Sequence, residues 1–358
     1  MRVLLVTPDF PPAPGGIQQV AARLAEHLDA ATRVVTVDHG EGGAPARGVH
    51  RAWSPRPHGA AAVATLNAAA LRAGVSVRPD VILSLHLVAA PSAWALSRVL
   101  RRPWVQWVHA MEVPQRAALA RLALRRANAV IAVSGYSRSL ALDQGADWDR
   151  VRIVSPGVTL RDGAPNGSRA DRPTVLTVAR LVERYKGHDT VARAMPLVSA
   201  RVPGAQWVVV GDGRLRGALE ALARNTGANA RFVGGASDEE RDRWLSRAHV
   251  FCMPSRLPAG RFAGEGFGIV FLEAGLHELP VVAGNVGGAR DAVCDGETGL
   301  LVDPTDHVAL AGALTELLTD RERAARLGRA GAARARAHAW PAVATRVREV
   351  LDEVTAGS

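Results

Sequence analysis

Short apolar runs that alternate with helical stretches recur along this chain and constrain its fold more than any other feature. In the first half the runs are Val3–Val6, Arg33–Val37, Val81–Leu85, Trp104–Val108 and Ala129–Val133. The pattern restarts with Thr174–Val178, Gln206–Val210, Arg231–Val233, Val250–Met253, Val281–Ala283 and Gly299–Val302. Buried strands that alternate with helices form parallel sheets covered on both faces. The sequence therefore predicts an α/β protein with two doubly wound domains.

The boundary between these domains falls in a polar stretch with Gly and Pro, residues 161–171. A chain of 358 residues is too long for one ordinary core, so we predict domains at 1–165 and 170–337. The helical end of the chain is interrupted at Trp340–Pro341, where proline breaks or kinks a helix. We expect residues 340–358 to cross back to the first domain. The strands of both sheets should point their carboxyl ends toward a central cleft, because such sheets bind ligands there.

The charge distribution indicates that nucleic acid is not the partner. The formal net charge is +10, and residues 1–169 hold 20 Arg against 11 acidic residues. Those arginines are scattered rather than interleaved with aromatic side chains, and no nucleic-acid-binding motif is present. We therefore expect no nucleic-acid partner.

Neither the start of the chain nor its cysteines indicate export. The apolar part of Met1–Pro8 is only about four residues, which fits a buried first strand better than a signal peptide. No apolar run reaches the roughly 18 to 20 residues that cross a bilayer. Cys252 and Cys294 offer neither a metal spacing nor a disulfide framework. We expect a cytoplasmic protein, either soluble or peripheral at a membrane.

One lysine stands among 44 basic side chains, and it lies in a loop suited to phosphate. Arg180 and Lys186 follow a predicted strand and precede a helix. Both cations can meet a diphosphate there, Arg as a planar fork and Lys as a point charge. Solvated loop charges are the alternative, and the solitary lysine favours function.

A second candidate phosphate loop follows the first strand. Gly15 and Gly16 precede a helix, so a phosphate could approach backbone N–H groups that have no helical partner. Glycines between a strand and a helix are also common for steric reasons. The loop alone leaves both explanations open.

The segment from Glu265 to Glu273 carries the strongest signal. Between the two glutamates lie Gly266, Phe267, Gly268, Ile269 and Val270. If a helix begins near Gly268, the N–H groups before it can bind a sugar or phosphate, while the carboxylates accept hydroxyl hydrogens. An acidic helix start is the alternative. That alternative does not explain two glycines around an exposed Phe.

These motifs resemble those of glycosyltransferase family 4, whose members are retaining enzymes of the GT-B fold with two Rossmann-like domains. They occur in the family's order: Gly15–Gly16, Ser155–Pro156–Gly157–Val158, Arg180 with Lys186, Gly211–Asp212–Gly213, and the paired glutamates. The resemblance covers the whole chain. It implies a metal-independent, retaining transfer of a hexosyl group from a nucleotide-diphosphate sugar to a hydroxyl acceptor, without a cofactor.

The resemblance also implies roles for particular residues. Arg180 and Lys186 should neutralise the leaving diphosphate, which is electrostatic stabilisation of the transition state. Glu265 should hold sugar hydroxyls and Glu273 the ribose hydroxyls, and Gly16 should contact the phosphate when the cleft shuts. The implied catalytic set is His109, Arg180, Lys186 and Glu265. The implied donor-binding set is Gly15, Gly16, Arg180, Lys186, Gly211, Gly266, Phe267, Gly268, Ile269, Val270 and Glu273.

His109 follows the fourth predicted strand and matches the histidine that the family places beside the transferred sugar. In retaining enzymes of this fold the leaving phosphate is thought to take the acceptor proton. His109 would therefore position a sugar hydroxyl rather than act as a base. A structural histidine that caps the strand end is the alternative.

Two further segments bear on partners. Asp147–Trp148–Asp149 has the Asp-x-Asp pattern of metal-dependent glycosyltransferases of another fold, but it lies in a polar turn, so we interpret it as structural. The segment Arg116–Arg126 is a cationic helix with apolar Leu119 and Leu122. Some relatives use such a helix to rest on anionic lipid. A solvated Arg face is the alternative, and the abundance of Arg favours it.

Two other functions remain as alternatives, and the substrates stay open. A nucleotide-sugar epimerase can share the fold and the donor, and a non-catalytic sugar-nucleotide-binding protein is the second. A retaining phosphorylase lacks a candidate for its pyridoxal-bearing lysine. Val281–Asp291 and Gly264–Val270 look similar to mannosyltransferases that use GDP-mannose, which favours that donor over UDP-sugars. A glycolipid, a polysaccharide and a small natural product all remain compatible as acceptor. The insert 256–264 is expected to shape the donor or acceptor side.

Overall fold

The computed structural model describes residues 1–13, 15–28, 31–38, 48–56, 59–160, 168–257 and 264–357. The chain divides into two compact units. The first unit is Met1–Gly157 with Trp340–Ser358, and the second unit is Val158–Ala339. The predicted end of the first domain, at residue 165, lies within 161–167, outside the described residues.

The described residues of the first unit form a parallel sheet of seven strands. These are β1 Val3–Val6, β2 Arg33–Val37, β3 Val49–Ala52, β4 Val81–Ser84, β5 Trp104–Val108, β6 Ala129–Ala132 and β7 Val151–Ile153. Their order is β3-β2-β1-β4-β5-β6-β7. The helices before the second unit are α1 Gly16–His27, α2 Ala60–Val77, α3 Ala90–Leu100, α4 Glu112–Gln115, α5 Ala117–Arg126 and α6 Gly135–Asp143.

The central strands confirm the predictions from apolar runs, and the two edge strands were missed. Every residue of β1, β4, β5 and β6 is buried, as expected for strands covered by helices on both faces. By contrast, β3 and β7 lie at the two edges of the sheet and are partly exposed. Their lower cover permits polar side chains such as His50, Arg51 and Arg152, so neither of these two strands shows a continuous apolar run.

In the second unit, the part of the chain that the structure describes contains a parallel sheet of six strands. These are β8 Thr174–Val178, β9 Gln206–Val210, β10 Ala230–Gly234, β11 Val250–Met253, β12 Val281–Gly284 and β13 Gly299–Val302, in the order β10-β9-β8-β11-β12-β13. Its helices are α7 His188–Arg201, α8 Arg216–Thr226, α9 Asp238–Arg247, α10 Ile269–Leu276, α11 Ala289–Ala292, α12 His307–Thr319 and α13 Arg321–Ala337. All six strands confirm the predictions.

In both sheets the strand order reverses beside the first strand of the unit. Strands β1 and β4 are neighbours in the first unit, and β8 and β11 are neighbours in the second. The chain leaves such a pair of strands in opposite directions, which opens a crevice at their carboxyl ends. The loops after these strands are therefore where each unit can bind a ligand.

The end of the chain returns to the first unit. Helix α13 ends at Ala337, and α14 runs from Trp340 to Ala356 and packs against α1. Pro341 lies in the first turn of α14, where its missing N–H would have no helical partner. Proline therefore separates two helices here, as the sequence predicted.

Among the described residues, one helix is long and apolar enough to cross a bilayer by length and composition alone. It is α2, in the first unit. Ala62, Leu66, Ala69 and Ala70 on one face of α2 lie in the hydrophobic core of that unit. This packing of one face in the core is typical of a helix in a folded domain.

Candidate functional site

The reversal of strand order in the second unit brings together two residues that are distant in sequence. Lys186 lies at the end of a short 3₁₀ helix, Arg184–Lys186, between β8 and α7. Glu265 lies in the loop between β11 and α10. The Lys186 ammonium donates a hydrogen bond to the Glu265 carboxylate, and the two side chains are only 16% and 14% exposed. The predicted cation and the predicted carboxylate thus form one ion pair.

Tyr185 is a further partner of Lys186 that sequence reasoning missed. The Lys186 Nζ lies 5.0 Å from the centroid of the Tyr185 ring. Burial alone would lower the pKa of Lys186, but Glu265 and Tyr185 outweigh it and raise that pKa. Burial raises the pKa of Tyr185 as well. Lys186 is therefore a permanent cation, as phosphate binding requires.

The segment after Glu265 forms the expected open helix start. Helix α10 begins at Ile269, and Gly268 precedes it with φ 93°, a conformation that favours glycine. Among the described residues, no hydrogen bond occupies the backbone N–H groups from Gly266 to Ile269. These donors and the positive end of the helix dipole favour an anion or a sugar hydroxyl oxygen. Val270 lies in the same first turn.

One expectation for this segment was wrong. Phe267 is 3% exposed rather than open to solvent, and its ring lies 6.2 Å from that of His338. A buried aromatic ring anchors the loop between the glycines. Phe267 therefore holds the N–H groups in place and offers no exposed face to a ligand.

Glu273 lies in α10, more than one turn beyond Glu265. Its carboxylate oxygen Oε1 is 3.6 Å from Nη2 of Arg241, which lies in α9. The Glu273 side chain is 20% exposed. The assignment of Glu273 to ribose hydroxyls stays a prediction.

Two glycines hold the loop that carries Arg180. A Cβ on Gly211 would lie 2.0 Å from the carbonyl oxygen of Ala179, and one on Gly213 would lie 2.5 Å from that of Leu181. The Gly211–Gly213 turn therefore packs directly on the backbone on either side of Arg180. The Arg180 side chain is 67% exposed and its Nη2 lies 3.9 Å from Glu183, so the guanidinium can reach for a ligand.

The glycine loop of the first unit precedes α1 as predicted. Gly15 has φ 151°, and α1 begins at Gly16. The Gln18 side chain folds over Gly15, where an added Cβ would lie 2.3 Å from its Oε1, and Gln18 Nε2 donates to Asp9. The close approach of Gln18 gives Gly15 a steric reason to be glycine, so a phosphate contact stays a prediction for this loop.

His109 follows β5, and most of its polar atoms are engaged. Its backbone N–H donates to Glu112 Oε1 at 2.6 Å, and its carbonyl accepts from the Ser137 hydroxyl. Its ring Nε2 lies 3.0 Å from the carbonyl oxygen of Leu85. A carbonyl only accepts, so Nε2 carries the proton. In a neutral ring Nδ1 is then an acceptor, and among the described residues none donates to it.

Glu112 and His86 are the residues of this cluster that sequence reasoning missed. Glu112 is buried and accepts from the backbone N–H groups of His109 and Ala110. Burial alone would raise the pKa of Glu112, but His109 and His86 outweigh it and lower that pKa. Burial lowers the pKa of His86. The position of Glu112, three residues after His109 at the start of α4, was the available signal.

The remaining predicted segments have structural explanations or lie partly outside the described residues. Asp147 caps the turn Trp148–Arg150 by accepting from the Asp149 N–H, and it pairs with Arg150. Cys252 is buried and Cys294 partly exposed, both as free thiols. In the insert 256–264, residues 258–263 lie outside the described residues.

Comparison with known families matches both halves of the chain. The family described as "Glycosyltransferase Family 4" matches residues 14–162, and "Glycosyl transferases group 1" matches residues 161–334. A GDP-mannose-dependent alpha-(1-6)-phosphatidylinositol monomannoside mannosyltransferase of Mycobacterium tuberculosis is 34% identical, and the alignment covers 92% of each chain. This chain belongs to glycosyltransferase family 4. It is an enzyme that transfers glycosyl groups, as the family resemblance implied.

Other relatives agree with this assignment. The mannosyltransferase of the same description from Mycolicibacterium smegmatis is 39% identical over 60% of each chain. Among solved structures, sucrose-phosphate synthase from Thermosynechococcus elongatus superimposes with a TM-score of 0.85 at 24% identity, over 99% of both chains. Anabaena HepE in complex with UDP and glucose gives 0.79 at 20% identity, over 99% of this chain and 100% of that one. The fold is GT-B, as predicted.

Proposed function

We propose that this family 4 enzyme transfers mannose from GDP-mannose to a glycolipid of the phosphatidylinositol mannoside type. One observation carries the proposal at the level of the site: Lys186, Glu265 and the open N–H groups before α10 lie together. The ligand that suits this combination carries both phosphates and sugar hydroxyls. The donor and acceptor are named by analogy with the M. tuberculosis relative.

Each site residue has a role in this proposal. Arg180 and Lys186 bind the diphosphate and stabilise the charge that develops as the glycosidic bond breaks. Glu265 accepts hydrogen bonds from sugar hydroxyls and Glu273 from the ribose. His109 accepts a hydroxyl hydrogen at Nδ1. The leaving phosphate takes the acceptor proton on the face where the new bond forms, so the anomeric configuration is retained without a metal ion or a cofactor.

The donor is tested by thermal shift with GDP, UDP and ADP. A ligand that binds only the folded protein raises its melting temperature, so GDP should raise it most. Incubation with radiolabelled GDP-mannose and phosphatidylinositol monomannoside should then label the lipid fraction. Stabilisation by UDP or ADP alone would assign another donor. Conversion of the nucleotide sugar to an epimer without acceptor would indicate an epimerase.

We further propose that the outer face of α5 rests on anionic lipid. Arg121, Leu122 and Arg125 are exposed on this helix, and Arg126 stacks on the partly exposed Trp94 with 5.2 Å to the ring centroid. Basic side chains with apolar and aromatic neighbours suit a lipid interface, where each Lys or Arg adds about 1 kcal/mol.

Sedimentation with vesicles that contain phosphatidylinositol tests this contact. The wild-type protein should bind and be released by salt. The double variant Arg121→Glu/Arg125→Glu should lose binding. The matched variant Arg224→Glu/Arg329→Glu, at exposed positions of the second unit, should keep it. Equal loss in both variants, or binding that salt does not weaken, would contradict the proposal for α5.

A further inference from the structure

In the free protein, two oppositely charged residues of the donor site are paired with each other. Lys186, which should bind the donor phosphates, is already paired with Glu265, which should bind the donor sugar. Both side chains are largely buried, and Tyr185 contacts the same ammonium. A phosphate that binds Lys186 must therefore break its ion pair with Glu265. The Glu265 carboxylate is then left with little access to water that could replace the lost partner.

The backbone on the lysine side leaves no room to open the pair by moving the turn. A Cβ on Gly187 would lie 2.1 Å from the carbonyl oxygen of Pro254, so the two segments are in direct contact. The Arg256 N–H donates to the carbonyl of Tyr185 at 2.8 Å, and the Arg256 guanidinium pairs with Asp189 at 2.9 Å. The turn that carries Lys186 is thus held on both sides.

The backbone on the glutamate side is held equally well. The Gly288 N–H donates to the carbonyl of Glu265 at 2.8 Å, and a Cβ on Gly288 would lie 1.9 Å from the carbonyl oxygen of Gly266. The buried Phe267 ring anchors the next residue. The pair can therefore exchange partners only by rotation of the two side chains.

An intact nucleotide sugar and a nucleoside diphosphate differ in what they offer this pair. The sugar nucleotide supplies phosphate oxygens for Lys186 and hydroxyl donors for Glu265, so both charges find a partner when the pair separates. The nucleoside diphosphate supplies phosphate oxygens for Lys186 but has no hexose hydroxyls for Glu265. If the diphosphate binds Lys186, the largely buried carboxylate of Glu265 loses its cation and lies beside the anionic diphosphate. An unpaired buried charge is strongly unfavourable.

We propose that the Lys186–Glu265 pair makes the site discriminate against the nucleoside diphosphate left after transfer, with Glu265 as the specificity-determining residue. This inference rests on the proposed function, because it requires that the ligand be a nucleotide sugar. Transfer removes the sugar hydroxyls from Glu265. Glu265 then competes with the diphosphate for Lys186 and promotes release of the product.

Isothermal titration of the full chain with GDP and with GDP-mannose tests the proposal. In Glu265→Gln, Lys186 loses its ionic competitor and no buried carboxylate is left behind. We expect GDP to bind about tenfold tighter than to the wild type, equivalent to about 1.4 kcal/mol. GDP-mannose should gain less, so the preference for the sugar nucleotide over GDP should fall. Unchanged or weaker GDP binding would overturn the proposal.

Glu220→Gln is the matched control, because it removes the same charge from the same unit and also breaks an ion pair, the one with Arg216 at 2.8 Å, at a residue with no proposed role in donor binding. It should not tighten GDP binding. Equal tightening of GDP binding in both variants would overturn the proposal, because a general gain of positive charge would then explain the tighter binding. Far-ultraviolet circular dichroism confirms that each variant is folded.

The two proposals can fail separately. If another nucleoside diphosphate stabilises the wild type, the titrations use that compound and its sugar conjugate. Wild-type transfer without tighter product binding in Glu265→Gln contradicts only the inference about the pair. Absence of nucleotide binding to the wild type contradicts the proposed function and the inference together.

Discussion

Replacement of Glu112 by Gln tests how the first unit positions His109. The Glu112 carboxylate uses Oε1 for the His109 N–H at 2.6 Å and Oε2 for the Ala110 N–H at 3.1 Å. Glutamine keeps one acceptor oxygen and places an NH₂ group against the other amide. A hydrogen bond to a charged group contributes about 1.5 to 3 kcal/mol, and a buried N–H without a partner costs about 1 to 3 kcal/mol.

We therefore expect Glu112→Gln to lower the free energy of unfolding of the first unit by about 2 to 4 kcal/mol. A urea titration followed by hydrogen–deuterium exchange mass spectrometry reports on the peptides of each unit separately. Turnover should also fall, because His109 loses the bond that fixes its backbone. Glu353→Gln is the control in the same unit: that carboxylate is 56% exposed, and its pair with Arg152 should contribute less than about 1 kcal/mol.

The pH dependence of this effect has a definite sign. The pKa of Glu112 is lowered in the folded protein. The charged carboxylate therefore stabilises the fold above its unfolded pKa, near 4.5, and this contribution is lost as the pH falls through the lower folded pKa. The difference between wild type and Glu112→Gln should shrink in acid. A loss no larger than that of Glu353→Gln at neutral pH would refute the reasoning.

Three further predictions concern the second unit and the chemistry. Burial beside Lys186 lowers the pKa of His188 to about 4, so stability should fall as the pH drops from about 6.5 toward 4. His188→Gln should flatten this slope in acid titrations of unfolding, and an unchanged slope would contradict it. Arg180→Lys should lower kcat/KM roughly tenfold to a hundredfold through loss of the guanidinium fork. Its melting temperature should stay at the wild-type value, because the side chain is 67% exposed. Transfer should persist in EDTA, and strict dependence on Mg²⁺ or Mn²⁺ would contradict the metal-independent mechanism.

The glycines illustrate what sequence reasoning could and could not assign. A glycine after a strand indicates that something approaches the backbone closely, but it does not name the neighbour. At Gly211 and Gly15 the neighbours are the Ala179 carbonyl and the Gln18 side chain, both within the protein. At Gly266–Gly268 the loop presents N–H groups that bond to none of the residues the structure describes. The same residue type thus serves packing at two loops and an open helix start at the third.

The sequence by itself determined the two parallel sheets and the order of the motifs, and it singled out Lys186 as a candidate. These follow from local properties: strands buried on both faces must be apolar along their whole length, and one lysine among 43 arginines is conspicuous. The partly exposed edge strands β3 and β7 of the first unit lack that apolar signature, so they were not predicted.

Only the tertiary structure decided which residues meet. Lys186 and Glu265 are 79 positions apart, and they touch because β8 and β11 are neighbours in the sheet. The buried Phe267 ring packs beside His338, which lies far along the chain. Glu112 could be recognised as a support for His109 only when its carboxylate was found beneath that loop. Such contacts depend on the order of the strands in the sheet and on where distant segments of the chain pack. No local pattern of residues encodes either property.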